Sequence, residues 1–182
     1  MGYWLLHTSE AHWRIRDFFT DGRTGTVWTI RQHWKRVAPG DGVAVWLTGK
    51  DGGVVARGRV TGEPYFGADD AEYWIEEHGE RWRVPVDLTE HFVDRPIRRD
   101  VLAADPRFAN ALILRLAGGR NPFPLEPDEW TAITDRVPPP GPQVVATAVR
   151  GAAVAVAVGA TAVREAMRSV VHRAPAAGES RR

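Results

Sequence analysis

Cysteine is absent from the 182 residues. Its absence excludes disulfide scaffolds, thiolate zinc sites, iron–sulfur clusters and every cysteine nucleophile. It also fits a reducing compartment, so a cytoplasmic location is expected. Lysine is scarce: Lys35 and Lys50 are the only two, and arginine supplies the remaining basic side chains. Excess charge is missing too. The net charge is +1, so the chain offers nucleic acid or membrane no bulk polycation. No long apolar run is present either. Between Arg150 and Arg164 lie thirteen uncharged residues, at most ~20 Å of helix. A membrane span needs about 20 apolar residues, and reaching that length here means burying Arg150. A membrane is therefore not the expected partner. The start, Met1 to His7, lacks the basic region and apolar length of a signal peptide and reads as a first strand.

The motifs of common catalytic sites are missing as well. There is no Gly-x-Ser-x-Gly elbow. The stretch from Gly42 to Lys50 has six residues between its glycines, and Asp51 stands where a phosphate loop needs Ser or Thr. The six histidines form no i,i+4 pair and no His-Glu-x-x-His arrangement. No metal, no cofactor and no catalytic residue are expected, and the reading is non-enzymatic.

What is present is tryptophan, eight residues of it, and an uneven placement of charge. Residues 1–136 hold 18 basic and 21 acidic side chains, and residues 137–182 hold 6 and 2. Arg14 to Arg36 is basic, whereas Asp69 to Glu80 carries six acids and no base. One basic and one acidic side would let a near-neutral domain track a phosphate backbone.

Local patterns divide the chain into elements. Tyr3 to His7 is a strand. Ser9 as N-cap and the spacing of Trp13, Ile15, Phe18 and Phe19 predict a helix over 10–19. Thr24 to Arg31 is extended. Pro39-Gly40-Asp41-Gly42 marks a turn, and residues 43–60 form a β-hairpin in which Gly58 allows a bulge or close backbone approach. Pro64 to Glu80 is irregular or helical. Trp82, Val84 and Val86 alternate in a strand, Pro96 to Leu102 is a short helix, and Ala111 to Leu116 is a strand. Acids in the first turn and an early Pro start a last helix at Glu126-Pro127-Asp128-Glu129. Hairpin spacing prevails over βαβ spacing, which gives an α+β small mixed β-barrel with peripheral short helices. The domain covers residues 1–137, a Pro-rich linker 138–143, and an Ala/Val-rich helical tail with a disordered basic end 144–182.

Trp13, Trp82 and Trp130 sit at core periodicity, and Trp34 could be core or surface. Trp28 lies between Thr26 and Thr29, and Trp46 shares a strand face with Ala44 and Thr48. Small neighbours beside a large ring leave space, and two such rings could stack a planar heterocycle.

Several segments in order carry a family resemblance. They are Tyr3-Trp4-Leu5-Leu6, Val27 to Gln32, Pro39 to Lys50, Gly53 to Val60 with Glu63-Pro64-Tyr65, Asn121 to Leu125, and Glu129-Trp130. Together, over about residues 2–136, they resemble an EVE domain, most of all the variant attached to modification-dependent restriction systems. EVE domains belong to the PUA-like superfamily, with the YTH and ASCH domains. The resemblance implies a small β-barrel whose pocket takes a flipped, modified base, in DNA more than RNA. It implies a cage role for Trp28, a flanking position for Trp46, and polar groups near the base edge at His7, Thr8 and Ser9. Arg31, Lys35, Arg36 and Lys50 are candidates for the flanking phosphates. Gln32 and Asn121 either read a base edge or fix loops. Neither a nuclease nor a translocase motif accompanies the domain, so any cleavage would come from an effector recruited through residues 144–172. Two alternatives stand beside this reading. One is an ASCH-like hydrolase of small modified nucleosides, which needs an inward Lys or acid. The other is a tail-mediated membrane or protein adaptor.

Overall fold

The computed structural model describes residues 1–68, 72–75, 79–116 and 120–139. The chain divides into two units, Met1–Pro138 and Pro139–Arg182. The linker beyond Pro139 and the helical tail expected over 144–182 lie outside the described residues. Among those described, no helix is long and apolar enough to cross a membrane.

The first unit is a curled mixed sheet, a half-barrel of PUA-like type with short helices around it. Its strands are β1 (Tyr3–Thr8), β2 (Gly25–Thr29), β3 (Gly42–Leu47), β4 (Gly53–Val60), β5 (Tyr65–Gly67), β6 (Arg81–His91), β7 (Ile97–Arg98) and β8 (Phe123–Pro124). The sheet runs β2-β6-β4-β3-β1-β8, with β5 added on β6 and β7 on β4. β1 and β3 are parallel, with Tyr3 opposite Gly42 and Thr8 opposite Leu47. β3 and β4 form the expected hairpin.

Period-two alternation sorts the side chains into two cores. Trp4 and Leu6 of β1, Val43 and Val45 of β3, Trp28 of β2 and Val84 and Val86 of β6 fill the inner core. Leu5, Ala44, Trp46 and Val54 face the other way, into an outer core. That outer core is closed by α2 (Arg99–Ala103), α3 (Leu112–Arg115) and α4 (Pro127–Thr134). Gly58 is where β4 meets β6 most closely. A Cβ there would lie 1.8 Å from the carbonyl oxygen of Asp87, and the β4–β6 register shifts between Arg57 and Arg59. α4 begins as its sequence dictates: Pro127 occupies the first turn, and Glu126 and Glu129 form a reciprocal capping box.

Three local expectations are corrected. The first helix, α1, covers only Ile15–Thr20. The Ser9 carbonyl accepts the N–H groups of His12 and Trp13, and Trp13 forms a β-bridge with Trp74. Those two bonds close a single turn, and the bridge ends it: Arg14 donates its N–H to the Tyr73 carbonyl and the His12 carbonyl accepts from Ile75, so 12–14 pair with 73–75 instead of continuing as a helix. Ala111 to Leu116 is the single helical turn α3 and not a strand. The run closes its own hydrogen bonds, Leu114 N–H to the Ala111 carbonyl and Leu116 N–H to the Leu112 carbonyl, and packs Ile113 and Leu114 onto the outer core. Pro96 to Leu102 opens as the short strand β7 on β4 before turning helical.

Candidate functional site

The tryptophans on β2 and β3 do not share a space. Trp28 is 0% exposed in the inner core and Trp46 is 4% exposed in the outer core. The expected pairing of Trp28 with Trp46 is therefore corrected. The small face of β3 is not open: Trp46 lies parallel to Phe108, with ring centres 6.4 Å apart. Leu102 and Ile97 belong to the same core. Alternation divides a strand into two faces but leaves undetermined which elements cover each face.

Trp28 instead joins two rings that come from loops. Trp13 and Trp74 stack with centres 5.5 Å apart and planes at 18°. Trp28 stands across both, 5.0 Å from Trp13 at 80° and 5.1 Å from Trp74 at 84°. The group is two parallel walls and a perpendicular floor. Trp13 and Trp74 are brought together by the backbone: Ile75 donates its N–H to the His12 carbonyl and Arg14 donates its own to the Tyr73 carbonyl. The indole N–H of Trp13 is buried and has no hydrogen-bond partner among the described residues. Trp13 lies in the inner core, as its periodicity predicts, whereas Trp74, in the acidic stretch, carries no periodic signal at all.

The polar candidates gather along the neighbouring seam. β8 covers only Trp4 and Leu5 of β1. Past that point the Asn121 side chain takes the place of a strand. Its Oδ1 accepts the His7 N–H at 2.7 Å, and its Nδ2 donates to the His7 carbonyl at 2.9 Å. Asn121 is joined to Pro122 by a cis peptide, and its own carbonyl accepts the Arg31 N–H. Gln32 Nε2 donates to the carbonyls of Arg120 and Pro122. Both amides thus stitch the loop at 120–122 to β1 and to the segment after β2. The carbonyl of Thr8 accepts the backbone N–H and the hydroxyl of Thr48. Ser9 Oγ lies 2.7 Å from His12 Nδ1 at the surface, and the His7 ring leans on Phe123.

The cations fall into two populations. Arg16, Arg57, Arg98 and Arg107 each meet a carboxylate within hydrogen-bonding distance. Arg31, Lys35, Arg36 and Lys50 are exposed and meet no carboxylate among the described residues. The same holds for Arg120 beside Asn121, and for Arg59 and Arg115 elsewhere. Arg31, Lys35 and Arg36 share one loop. Lys35 Nζ sits 5.0 Å over the Trp34 ring, and the Arg36 guanidinium 5.5 Å over Trp4. Burial, and then the nearby Arg36 charge, lower the pKa of His33 from its ordinary value, which favours the neutral ring.

The inner core has a crevice lined by Trp4, Leu6, Ile30, Val37, Val43, Val60, Val84 and Pro122, too narrow to hold a water molecule. Among the described residues, no group of three His, Asp or Glu is placed to hold a metal ion.

A curled mixed half-barrel with a few short helices around it is consistent with a PUA-like α+β fold. The chain belongs to the EVE domain family, whose model matches residues 2–136. That family is associated with nucleic-acid or modified-base binding. No curated protein sequence matches the chain. Solved structures similar to it include a hypothetical protein from Leishmania major, 18% identical with a TM-score of 0.57, the match covering 74% of this chain and 93% of that one. A protein from Rhodopseudomonas palustris is 19% identical with a TM-score of 0.55, covering 74% and 92%. One from Pseudomonas syringae is 16% identical with a TM-score of 0.53, covering 73% and 97%. At these identities the likeness concerns the fold.

Proposed function

We propose that this EVE domain is a non-enzymatic reader of a modified base, cytosine or adenine, in DNA in preference to RNA. The base stacks on Trp13, over Trp28, by displacing from that seat the half-buried Trp74 ring that covers both; with Trp74 in place the two receiving rings are 0% exposed. The observation that carries this reading is the three-tryptophan group, with two parallel rings and a third across them, beside a loop whose cations lack carboxylates. Two further features support it. The buried Trp13 N–H has an unmet hydrogen bond, and leaving such a donor unsatisfied costs about 1–3 kcal/mol. An acceptor on a bound base within its reach would relieve that cost. Unstacking a base costs a few kcal/mol, which aromatic stacking at about 1–3 kcal/mol per base offsets.

The hydrolase alternative finds less support. It needs an inward Lys or acid, and Lys35 and Lys50 are both exposed. Of the buried carboxylates, Asp41 holds Gly2, Trp4 and Ala38, Asp105 holds Arg107, and Glu129 caps α4. Recruitment of an effector through residues 144–172 belongs to the same proposal and concerns residues outside those described.

The test is a fluorescence titration of the full chain at fixed moderate salt. Oligonucleotides of one sequence carry methylated or hydroxymethylated cytosine, methylated adenine, or no modification. Burying one methyl group among rings contributes about 0.8 kcal/mol, so the favoured oligonucleotide should bind at least about fourfold tighter than its unmodified twin. Trp74→Ala empties the seat and should tighten that binding. Equal affinity for every oligonucleotide would refute modified-base recognition, and no binding at all would refute the nucleic-acid reading.

A further inference from the structure

A second aromatic group lies one step along the same seam, and it is partly exposed. Trp34 and Trp82 stack with centres 3.9 Å apart and planes at 8°. Phe66 meets Trp82 edge-on at 6.0 Å and is itself 58% exposed. It sits on β5, opposite Trp82 in the register. Trp34 and Trp82 also pack against the inner core, whereas Phe66 outside them is left largely in solvent, where its ring contributes little to folding. The chain also accepts backbone strain to build the stack. His33 has φ 58°, a left-handed conformation that a non-glycine residue adopts at a cost. Its carbonyl accepts the N–H groups of Arg36 and Val37, and the resulting turn lays Trp34 on Trp82. The strand exit is tied to the same place, because Ile30 donates its N–H to the Trp82 carbonyl. Arg31 therefore leaves the sheet directly beside the stack. Arg31 and Lys35, both exposed, meet no carboxylate among the described residues.

We propose that Phe66, at the open side of the Trp34–Trp82 stack, stacks an unpaired base of the bound strand, while Arg31 and Lys35, whose Nζ lies over the Trp34 ring in this structure, take its flanking phosphates. Aromatic faces read no sequence, and free cations beside them fit a phosphate backbone. A base pair inside a duplex offers its edges and not its face, so the substrate is single-stranded at this position. The inference rests on the nucleic-acid part of the reading above and names its substrate class. It does not depend on which base is modified or on the Trp13 seat.

The experiment uses the full chain and fluorescence anisotropy at fixed salt. The probes are an unmodified labelled ten-nucleotide oligo(dT) strand and the same strand annealed to its complement. The single strand should bind about tenfold tighter than the duplex. Phe66→Ala should cut single-strand affinity by about tenfold and leave duplex affinity and the melting temperature unchanged. Lys35→Ala should lower the slope of log K against log salt by about 0.7. Trp34→Phe keeps an aromatic ring in place and should retain most of the affinity, which guards against a folding defect. Equal or tighter duplex binding would overturn the inference, as would a Phe66→Ala chain that binds the single strand like wild type. In that last case, a surviving preference for a modified oligonucleotide leaves the base-reader proposal standing. Loss of modification preference with an intact Phe66 effect removes the reader and keeps the stacking surface.

Discussion

Replacing Asn121 by Ala tests how the half-barrel is closed beside its candidate site. The amide makes two hydrogen bonds to one residue, His7, 114 positions away. The backbone groups of His7 point where β8 would continue, and β8 stops short of them. Each such bond contributes about 1 kcal/mol net. Because both are only partly buried, water can replace some of the loss, so about 1.5 kcal/mol is expected. In a domain of this length 1 kcal/mol moves the melting temperature by roughly 3–4 °C, so Asn121→Ala should melt about 5 °C lower. Asn121→Asp is a sharper probe. It keeps the acceptor for the His7 N–H but sets a second oxygen against the His7 carbonyl. At pH 7 it should be at least as destabilised as the Ala variant, regaining part of the loss below about pH 4 as the carboxyl protonates. The assay is thermal unfolding followed by circular dichroism across pH 3–8. A melting temperature for Asn121→Ala within 1 °C of wild type would refute the view that this side chain completes the sheet edge.

Three more outcomes are expected. Gly58→Ala places a methyl group against the Asp87 carbonyl, 1.8 Å from its ideal Cβ. It should cost about 3 kcal/mol or more, read as loss of soluble folded protein. Asp41 is buried, which raises its carboxyl pKa, but the bonds from Trp4, Gly2 and Ala38 outweigh that and hold it below the usual carboxylate range. Its contribution is therefore present above the unfolded pKa and lost as pH falls through the folded one. Asp41→Asn should lose about 2 kcal/mol at pH 7, and urea titrations should find that gap closing below about pH 4. Trp46→Ala should destabilise by about 3–5 kcal/mol in urea, whereas Trp46→Phe, which keeps the ring on Phe108, should leave the preference among oligonucleotides unchanged. A change in that preference would return Trp46 to the binding site.

Much of this molecule is written locally. β1, the β3–β4 hairpin and α4 follow from alternation, turn residues and the Pro127 and Glu129 signals, because each depends on neighbours within a few residues. Gly58 could be singled out for the same reason, since a glycine inside a strand pattern marks close backbone approach. The ordered segments over residues 2–136 also sufficed for the family. Tertiary structure alone decided the rest. Alternation put Trp28 and Trp46 each on one face of a strand, but the elements that cover a face come from distant chain. Helix α2 and Phe108 closed the outer face over Trp46. Trp74, from an acidic stretch without period, came to rest on Trp13. Ala111 to Leu116 has strand-forming residues, yet it closes a helical turn on itself and packs Ile113 and Leu114 onto the outer core. By sequence Asn121 suits reading a base and fixing a loop equally, and only the fold brings His7 against both ends of its amide. Local propensity acts through the backbone of a few residues. The assembly of a site is a long-range event, settled by which surfaces remain uncovered when the sheet has curled.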